Sequence, residues 1–306
     1  MKGLTLAKEY YHTYGSRILT AAEDLCPGLS SRLSIGLAGE GSQCFGFDDT
    51  ISQDHDFAPG FCVWMAYQDY KYYGEQLQKV YDSLPSEFLG FTRQNILAAD
   101  RLGVMSVSEF YGRLTEFPET EEDWLLIPEA NLAAAVNGEI WLNGCHEFSY
   151  IRKYLQDFYP DSVLRKKLAA RAAVMSQAGQ YNLLRMLDRG DRTAAMLSAA
   201  RFTEAAVSMV HLLGRNYTPF YKWAYRSLTE LAEKSPLAQL TARELEKLPE
   251  ACILPGKEKA FEITETICAA VAEELKQQGF STTDSSFLQD HLADISQGED
   301  FTYGYY

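Results

Sequence analysis

Apolar positions recur at helical spacing along residues 4–25 (Leu4, Tyr11, Ile18, Leu19, Ala22), and Cys26-Pro27-Gly28 closes that run. Leu33-Ser34-Ile35-Gly36-Leu37-Ala38 then predicts a short strand that stops at Gly39. A second strand is expected between Asp54 and Met65, interrupted at Pro59-Gly60, with Val63-Trp64-Met65-Ala66 apolar enough for burial. Residues 68–82 predict a helix, and the Ser106-Val107-Ser108-Glu109 capping box predicts another through Leu114. Ala133-Ala134-Ala135-Val136 leads into Asn137-Gly138, a strong turn pair, and Glu139-Ile140-Trp141-Leu142 follows as a strand.

From Ile151 onward strand patterns all but vanish. Leu164, Leu168, Ala172 and Met175 share one helix face, as do Met196, Ala199, Thr203, Ala206 and Val210. Thr241-Ala242-Arg243-Glu244 and Ser281-Thr282-Thr283-Asp284 look like helix starts, and Pro160, Pro219, Pro236 and Pro255 punctuate the series. The pattern therefore predicts an α+β chain: a domain over residues 1–150 with a small sheet, then an all-α domain over 151–306 that packs closely against it. The length of 306 residues suits two domains.

Composition narrows the function classes. A formal net charge of −14 disfavours broad binding of nucleic acid, whose phosphates an acidic surface repels. Six scattered cysteines without a Cys-x-x-Cys pair argue against structural zinc and for reduced thiols, so a cytoplasmic location is expected. No signal-peptide pattern and no membrane-length apolar run stands out, so no membrane partner is expected.

Candidate chemistry concentrates between Gly41 and Phe57. Gly41-Ser42 follows the first strand, and Asp48, Asp49, Asp54 and Asp56 crowd four carboxylates into nine residues. Clustered carboxylates repel one another unless cations neutralise them, and a hard all-oxygen set suits Mg2+, which usually travels with phosphate. On a strand, Asp54 and Asp56 would project from one face and share a metal, with His55 pointing away. Gly41 would let backbone amides approach a phosphate, Ser42 would donate from amide and hydroxyl, and Ser52 joins them as a nucleotide-binding candidate. Asp48 and Asp49 are expected to cap a turn or to support the site from behind. The bland alternative is a solvated acidic loop after an ordinary turn.

Gly-Ser followed by Asp-x-Asp resembles the signature of the polymerase-beta-like nucleotidyltransferase superfamily. The string from Gly39 to Phe57 is similar to a subfamily described as domain of unknown function 4037, as are Tyr159-Pro160-Asp161, Gly179-Gln180-Tyr181-Asn182 and Asn216-Tyr217-Thr218-Pro219-Phe220-Tyr221-Lys222-Trp223. The resemblance implies a nucleotidyltransferase-like first domain, a helical domain closing over the site, and transfer of a nucleoside monophosphate from an NTP, most simply ATP, to a hydroxyl of a small molecule or protein. It implies Asp54 and Asp56 as catalytic metal ligands. It also implies a third acid near Ile140-Trp141-Leu142, where the matching position in this chain is Asn143, with Glu139 and Glu147 as substitutes. That departure leaves open a nucleotide-binding pseudoenzyme that acts as a sensor or interaction protein; a metal-dependent phosphohydrolase is a weaker alternative.

In the helical half, Lys222 is a candidate for neutralising phosphate, against the alternative of an exposed lysine beside a core Trp223. Gln180, Tyr181, Asn182 and Arg185 form a polar patch suited either to ligand recognition or to interhelix hydrogen bonds. Arg165-Lys166-Lys167 reads as a solvated basic face, and His12, His146, His211 and His291 read as structural.

Overall fold

The structure is a computed structural model that describes residues 1–52, 57–93, 101–253 and 257–299. Its elements run in the order α1 (Gly3–Leu25), β1 (Ser34–Leu37), α2 (Ser42–Phe45), β2 (Cys62–Met65), α3 (Tyr67–Asp82), β3 (Glu87–Phe88), β4 (Phe91–Thr92), β5 (Gly103–Ser106), α4 (Val107–Leu114), α5 (Glu121–Leu126), α6 (Glu129–Val136) and β6 (Glu139–Asn143). Then come α7 (His146–Gln156), α8 (Asp161–Met175), a π-helical stretch (Ser176–Leu183), α9 (Leu184–Asp188), α10 (Arg192–Leu213), α11 (Tyr221–Leu231), α12 (Pro236–Ile253), α13 (Lys257–Gln277) and α14 (Leu292–Ser296). The class is α+β, with a small mixed sheet and a largely helical C-terminal region. The chain divides into two compact units: residues 1–118 with 131–157, and residues 119–130 with 158 onward.

In the first unit the four-stranded sheet has the order β5-β2-β1-β6. β1 is antiparallel to both neighbours, Ile35 opposite Val63 on one side and Leu37 opposite Glu139 on the other, while β2 and β5 run parallel. Alternation sorts the side chains by face. Ile35, Val63 and Met65 join Tyr10, Ile18 and Ala22 of α1 and Leu77 of α3 in one core. On β2, Trp64 is instead fully buried against Phe148 of α7 and Phe110 of α4, at ring distances of 4.5 and 5.3 Å. The sheet is thus covered on both faces, so three of its four strands, β1, β2 and β5, are buried at every position. The expected capping box is present at Ser106 and Glu109. Within the described part of the second strand candidate, β2 begins at Cys62, after Pro59, which lacks an N–H, and Gly60; residues 54–56 lie outside the described residues.

The second unit is built on α8 and α10. Leu164, Leu168, Ala172 and Met175 are all fully buried on α8. On α10 the expected face holds only in its second half. Met196 is 61% exposed, and Ala195 and Phe202 carry the burial instead. Thr241 lies buried inside α12, whose true start is Pro236, in the first-turn position where a missing N–H costs nothing. Ser281-Thr282-Thr283 starts no helix. Asp294 of α14 accepts from the Thr282 amide at 2.7 Å and from all three hydroxyls, and these bonds hold its carboxyl down at about 2. Donors that suit a helix cap are here taken by a carboxylate twelve residues away from the Thr282 amide, which stabilises an irregular loop. Pro255 lies outside the described residues, as does the chain from 300 onward.

Among the described residues no helix is long and apolar enough to cross a membrane. All six cysteines are free, and all but Cys26 are buried.

Candidate functional site

β1 leads through Ala38-Gly39-Glu40-Gly41 into Ser42, the first residue of α2, and the backbone there depends on glycine. Gly39 and Gly41 have φ of 114° and 107°, a region that side chains with a Cβ rarely enter. Asn137 fixes the first of them: its side-chain oxygen accepts from the Gly39 N–H, and its NH2 donates to the Gly39 carbonyl, both at 2.8 Å. Asn137 is held in turn by the tight turn into β6, and Arg152 of α7 donates to the carbonyls of Ala135, Val136 and Asn137. The sequence identified Asn137 as a turn residue only; nothing in its local pattern revealed this grip on a glycine nearly a hundred positions away.

Two guanidiniums border the bend. Arg101, just ahead of β5, lies close to Gly41, where an added Cβ would be 3.9 Å from its Nη1, and 3.8 Å from the Glu40 carboxylate. Arg113 of α4 joins Arg101, Ala38, Gly39, Glu40 and Phe110 around a cavity of about 10 Å³, room for one water. Neither arginine was singled out from sequence, because only the fold brings them to the bend.

The remaining sequence candidates fall into three groups. Asp54 and Asp56, with His55, lie outside the described residues. Asp48 is buried and accepts from the Gly3 amide at 2.9 Å, capping α1, while Asp49 accepts from the Ile51 and Ser52 amides and the Ser52 hydroxyl. Ser52 therefore serves a local turn. Asn143 pairs with Ser34 at the start of β1, the end remote from Gly41-Ser42, and its oxygen accepts from Ser34 and Ser149 hydroxyls. Asn143 therefore lies at the end of β1 away from the glycine bend. On β6 the end facing the bend is Glu139, which pairs with Lys8 at 2.9 Å and accepts from the Trp141 ring N–H; the Lys8 bond leads in holding its carboxyl below the usual range. Among the described residues no group of three His, Cys, Asp or Glu side chains could hold a metal ion. Asp54 and Asp56, the carboxylates expected to hold Mg2+, lie outside the residues that this covers.

Lys222 stands exposed in the first turn of α11, its Nζ 5.4 Å from the centre of the Trp223 ring. Gln180 ties the π-helical stretch to Glu265, the Ser286 carbonyl and the Leu288 amide, a structural role, and Arg185 lies over the Tyr181 ring at 4.4 Å. His211 and His291 are buried and bonded through both ring nitrogens, as expected of structural histidines.

The second unit contains a larger concavity, about 450 Å³, lined largely by apolar groups that include Val174, Val207, Pro219, Phe220 and Ala224. Its polar wall is a buried network. Arg171 of α8 donates through Nη2 to Glu129 at 2.6 Å and through Nε to the Ser208 hydroxyl at 2.7 Å, and Ser208 donates to Glu129. Burial alone would raise the Glu129 carboxyl. The Arg171 and Lys167 charges, with the Thr218 and Ser208 hydroxyls, overcome this and hold it below the usual value. Lys167 corrects the sequence picture of a solvated basic run: it is fully buried, and its Nζ makes no hydrogen bond among the described residues. Nζ lies 5.1 Å from the Tyr159 ring centre, and burial brings the ammonium down to about 8, with Glu129 opposing.

The model of a family described as Domain of unknown function (DUF4037) matches residues 124–224. That third of the chain contains every residue lining the larger concavity except Tyr225, and it leaves out Gly41-Ser42 and Asp54-x-Asp56. No curated protein and no solved structure matches the chain.

Proposed function

We propose that the chain is a Mg2+-dependent nucleotidyltransferase that moves a nucleoside monophosphate from an NTP, with ATP the first choice, to a hydroxyl of a small molecule or protein acceptor. The observation that carries this is the bend at the exit of β1. A Gly-x-Gly-Ser turn is locked by Asn137 and flanked by Arg101, and the sequence supplies an Asp-x-Asp pair shortly afterwards. The order of strand, glycine bend and paired acids is that of the polymerase-beta-like superfamily.

In this scheme the bend receives the triphosphate. Glycine at position 41 keeps a Cβ out of the way, Ser42 donates to a phosphate oxygen, and Arg101 offsets its charge. Asp54 and Asp56 hold the ion, which when bound supplies charge neutralisation on the phosphates and orients the leaving group. Fixing the bend before the nucleotide arrives places the donors ahead of the developing charge, which is where electrostatic catalysis gains most.

The test is thermal unfolding with each NTP, with and without Mg2+, alongside a pyrophosphate-release assay. Saturation at about a hundred times Kd stabilises a binding protein by roughly 2.7 kcal/mol, several degrees for a unit of this size. The expected outcome is a Mg2+-dependent rise with ATP that Asp54→Asn and Asp56→Asn each remove. No shift with any NTP would refute the proposal. A shift without pyrophosphate release, across a panel of amine- and hydroxyl-rich acceptors, would instead identify a nucleotide sensor.

A further inference from the structure

We propose that the concavity of the second unit is a binding site for an uncharged aromatic small molecule. Its volume of about 450 Å³ falls within the usual range for small-molecule sites, and it combines a largely apolar wall with a few fixed polar groups, the other mark of such sites.

That the ligand is uncharged follows from the charges of the lining. Glu129 and Glu204 stand there with Arg171 and Arg201, two acids and two bases, so the lining carries no net charge. Glu129 and Arg171 are buried and engaged with each other at 2.6 Å, and the Ser208 hydroxyl accepts from Arg171 and donates to Glu129. Arg201 and Glu204 are exposed, where water weakens their fields. An ion of either sign would give up its hydration to a mainly apolar wall and would meet buried charges already committed to one another. A neutral molecule escapes that cost.

The aromatic character follows from the exposed part of the lining. Val174, Val207 and Pro219 are buried, whereas Phe220 and Tyr221, with ring centres 4.6 Å apart, remain 52% and 74% exposed. Tyr225 is exposed beside them, and its hydroxyl donates to the Ala242 carbonyl of α12 at 3.1 Å, which holds the ring in place. Three aromatic side chains around one cavity offer faces and edges to a further ring, an interaction that adds to simple burial of area. A ring seated there would also cover apolar surface that the chain leaves in water. The site draws on nothing in the first unit, so its fate is separate from that of the nucleotidyltransferase proposal.

A matched charge series tests this on the full chain by titration calorimetry. 2-Naphthylethanol, 2-naphthylacetate and 2-naphthylethylammonium share one aromatic body and differ in charge. The alcohol is expected to bind most tightly, by about tenfold or more over each ion. Ala224→Phe fills the cavity from α11 and should abolish binding of the alcohol with the thermal midpoint retained. Tyr221→Ala alters an exposed side chain, leaves folding intact and should weaken the alcohol by about threefold or more. Tyr72→Ala removes an exposed ring of the first unit and should leave the affinity unchanged. Either ion binding as tightly as the alcohol, or no binding of the alcohol by the wild type, would overturn the proposal. So would unchanged binding in Tyr221→Ala or in a folded Ala224→Phe variant, or a loss in Tyr72→Ala equal to that in Tyr221→Ala.

Discussion

A lysine with no hydrogen-bond partner in a core should betray itself through pH. Lys167 has a folded pKa near 8 against about 10.4 for a free lysine, so between those values the unfolded chain holds the proton more tightly than the folded one. Stability therefore rises with pH through that window. The penalty is complete below pH 8 and relieved towards pH 10. Replacing Lys167 with Met removes the penalty throughout. We expect Lys167→Met to be the more stable protein at pH 7, with its advantage over wild type shrinking by about 2 kcal/mol by pH 9.5. Paired urea titrations at the two pH values measure this. A constant difference would mean that the ammonium is solvated in solution. The neighbouring carboxylate should behave in the opposite way to mutation. Glu129→Gln strands Arg171 and Lys167 together, and losing one partner of a buried ion pair typically costs about 3–5 kcal/mol. At the bend, Asn137→Ala removes both bonds to Gly39. A loss of about 2 kcal/mol is expected, together with a weaker ATP-dependent thermal shift; an unaltered shift would separate the bend from nucleotide binding.

At the scale of elements, the strands and helices that obey one period over several turns were legible in advance: α1, α3, α4 with its capping box, and the buried face of α8. The failures share a cause. Ser281-Thr282-Thr283 has helix-start chemistry, yet Asp294 from a later helix takes its donors. Lys167 sits in a run of basic residues, yet the helix turns it into the core while Arg165 and Lys166 pair with Asp161 and Glu121. The resemblance puts Asn143 in the place of a third acid, and strand register pairs it with Ser34, at the end of β1 away from the bend. In each case local pattern was overruled by a partner distant in sequence. The π-helical stretch is a similar case. An extra residue per turn there lets Gly179 approach Phe202 of α10 so closely that a Cβ would stand 2.2 Å from the ring. Alanine is the better helix former by about 1 kcal/mol, yet Gly179→Ala should destabilise by roughly 1–3 kcal/mol, because overpacking outweighs propensity. Chemical denaturation of the variant decides between the two effects.

For the molecule as a whole, connectivity matters more than the number of domains. Residues 119–130 belong with the helical unit although the chain returns to the first unit for residues 131–157. That excursion carries Trp124, which meets Tyr159 edge-on at 5.5 Å, and Glu129, the carboxylate for Arg171. A cut at residue 150, where the hydrophobic pattern changes character, would leave Arg171 and Lys167 in one fragment and their counter-charge in the other. The expected consequence is that a 151–306 fragment fails to unfold cooperatively and exposes apolar surface to dye. A 119–306 fragment should recover a cooperative transition. In it, residues 131–157 become a loop, and closing a loop costs entropy that grows only with the logarithm of its length, whereas leaving a buried guanidinium without its carboxylate costs several kcal/mol at once. Cooperative unfolding of 151–306 equal to that of 119–306 would mean that the Glu129 network contributes little to the helical unit.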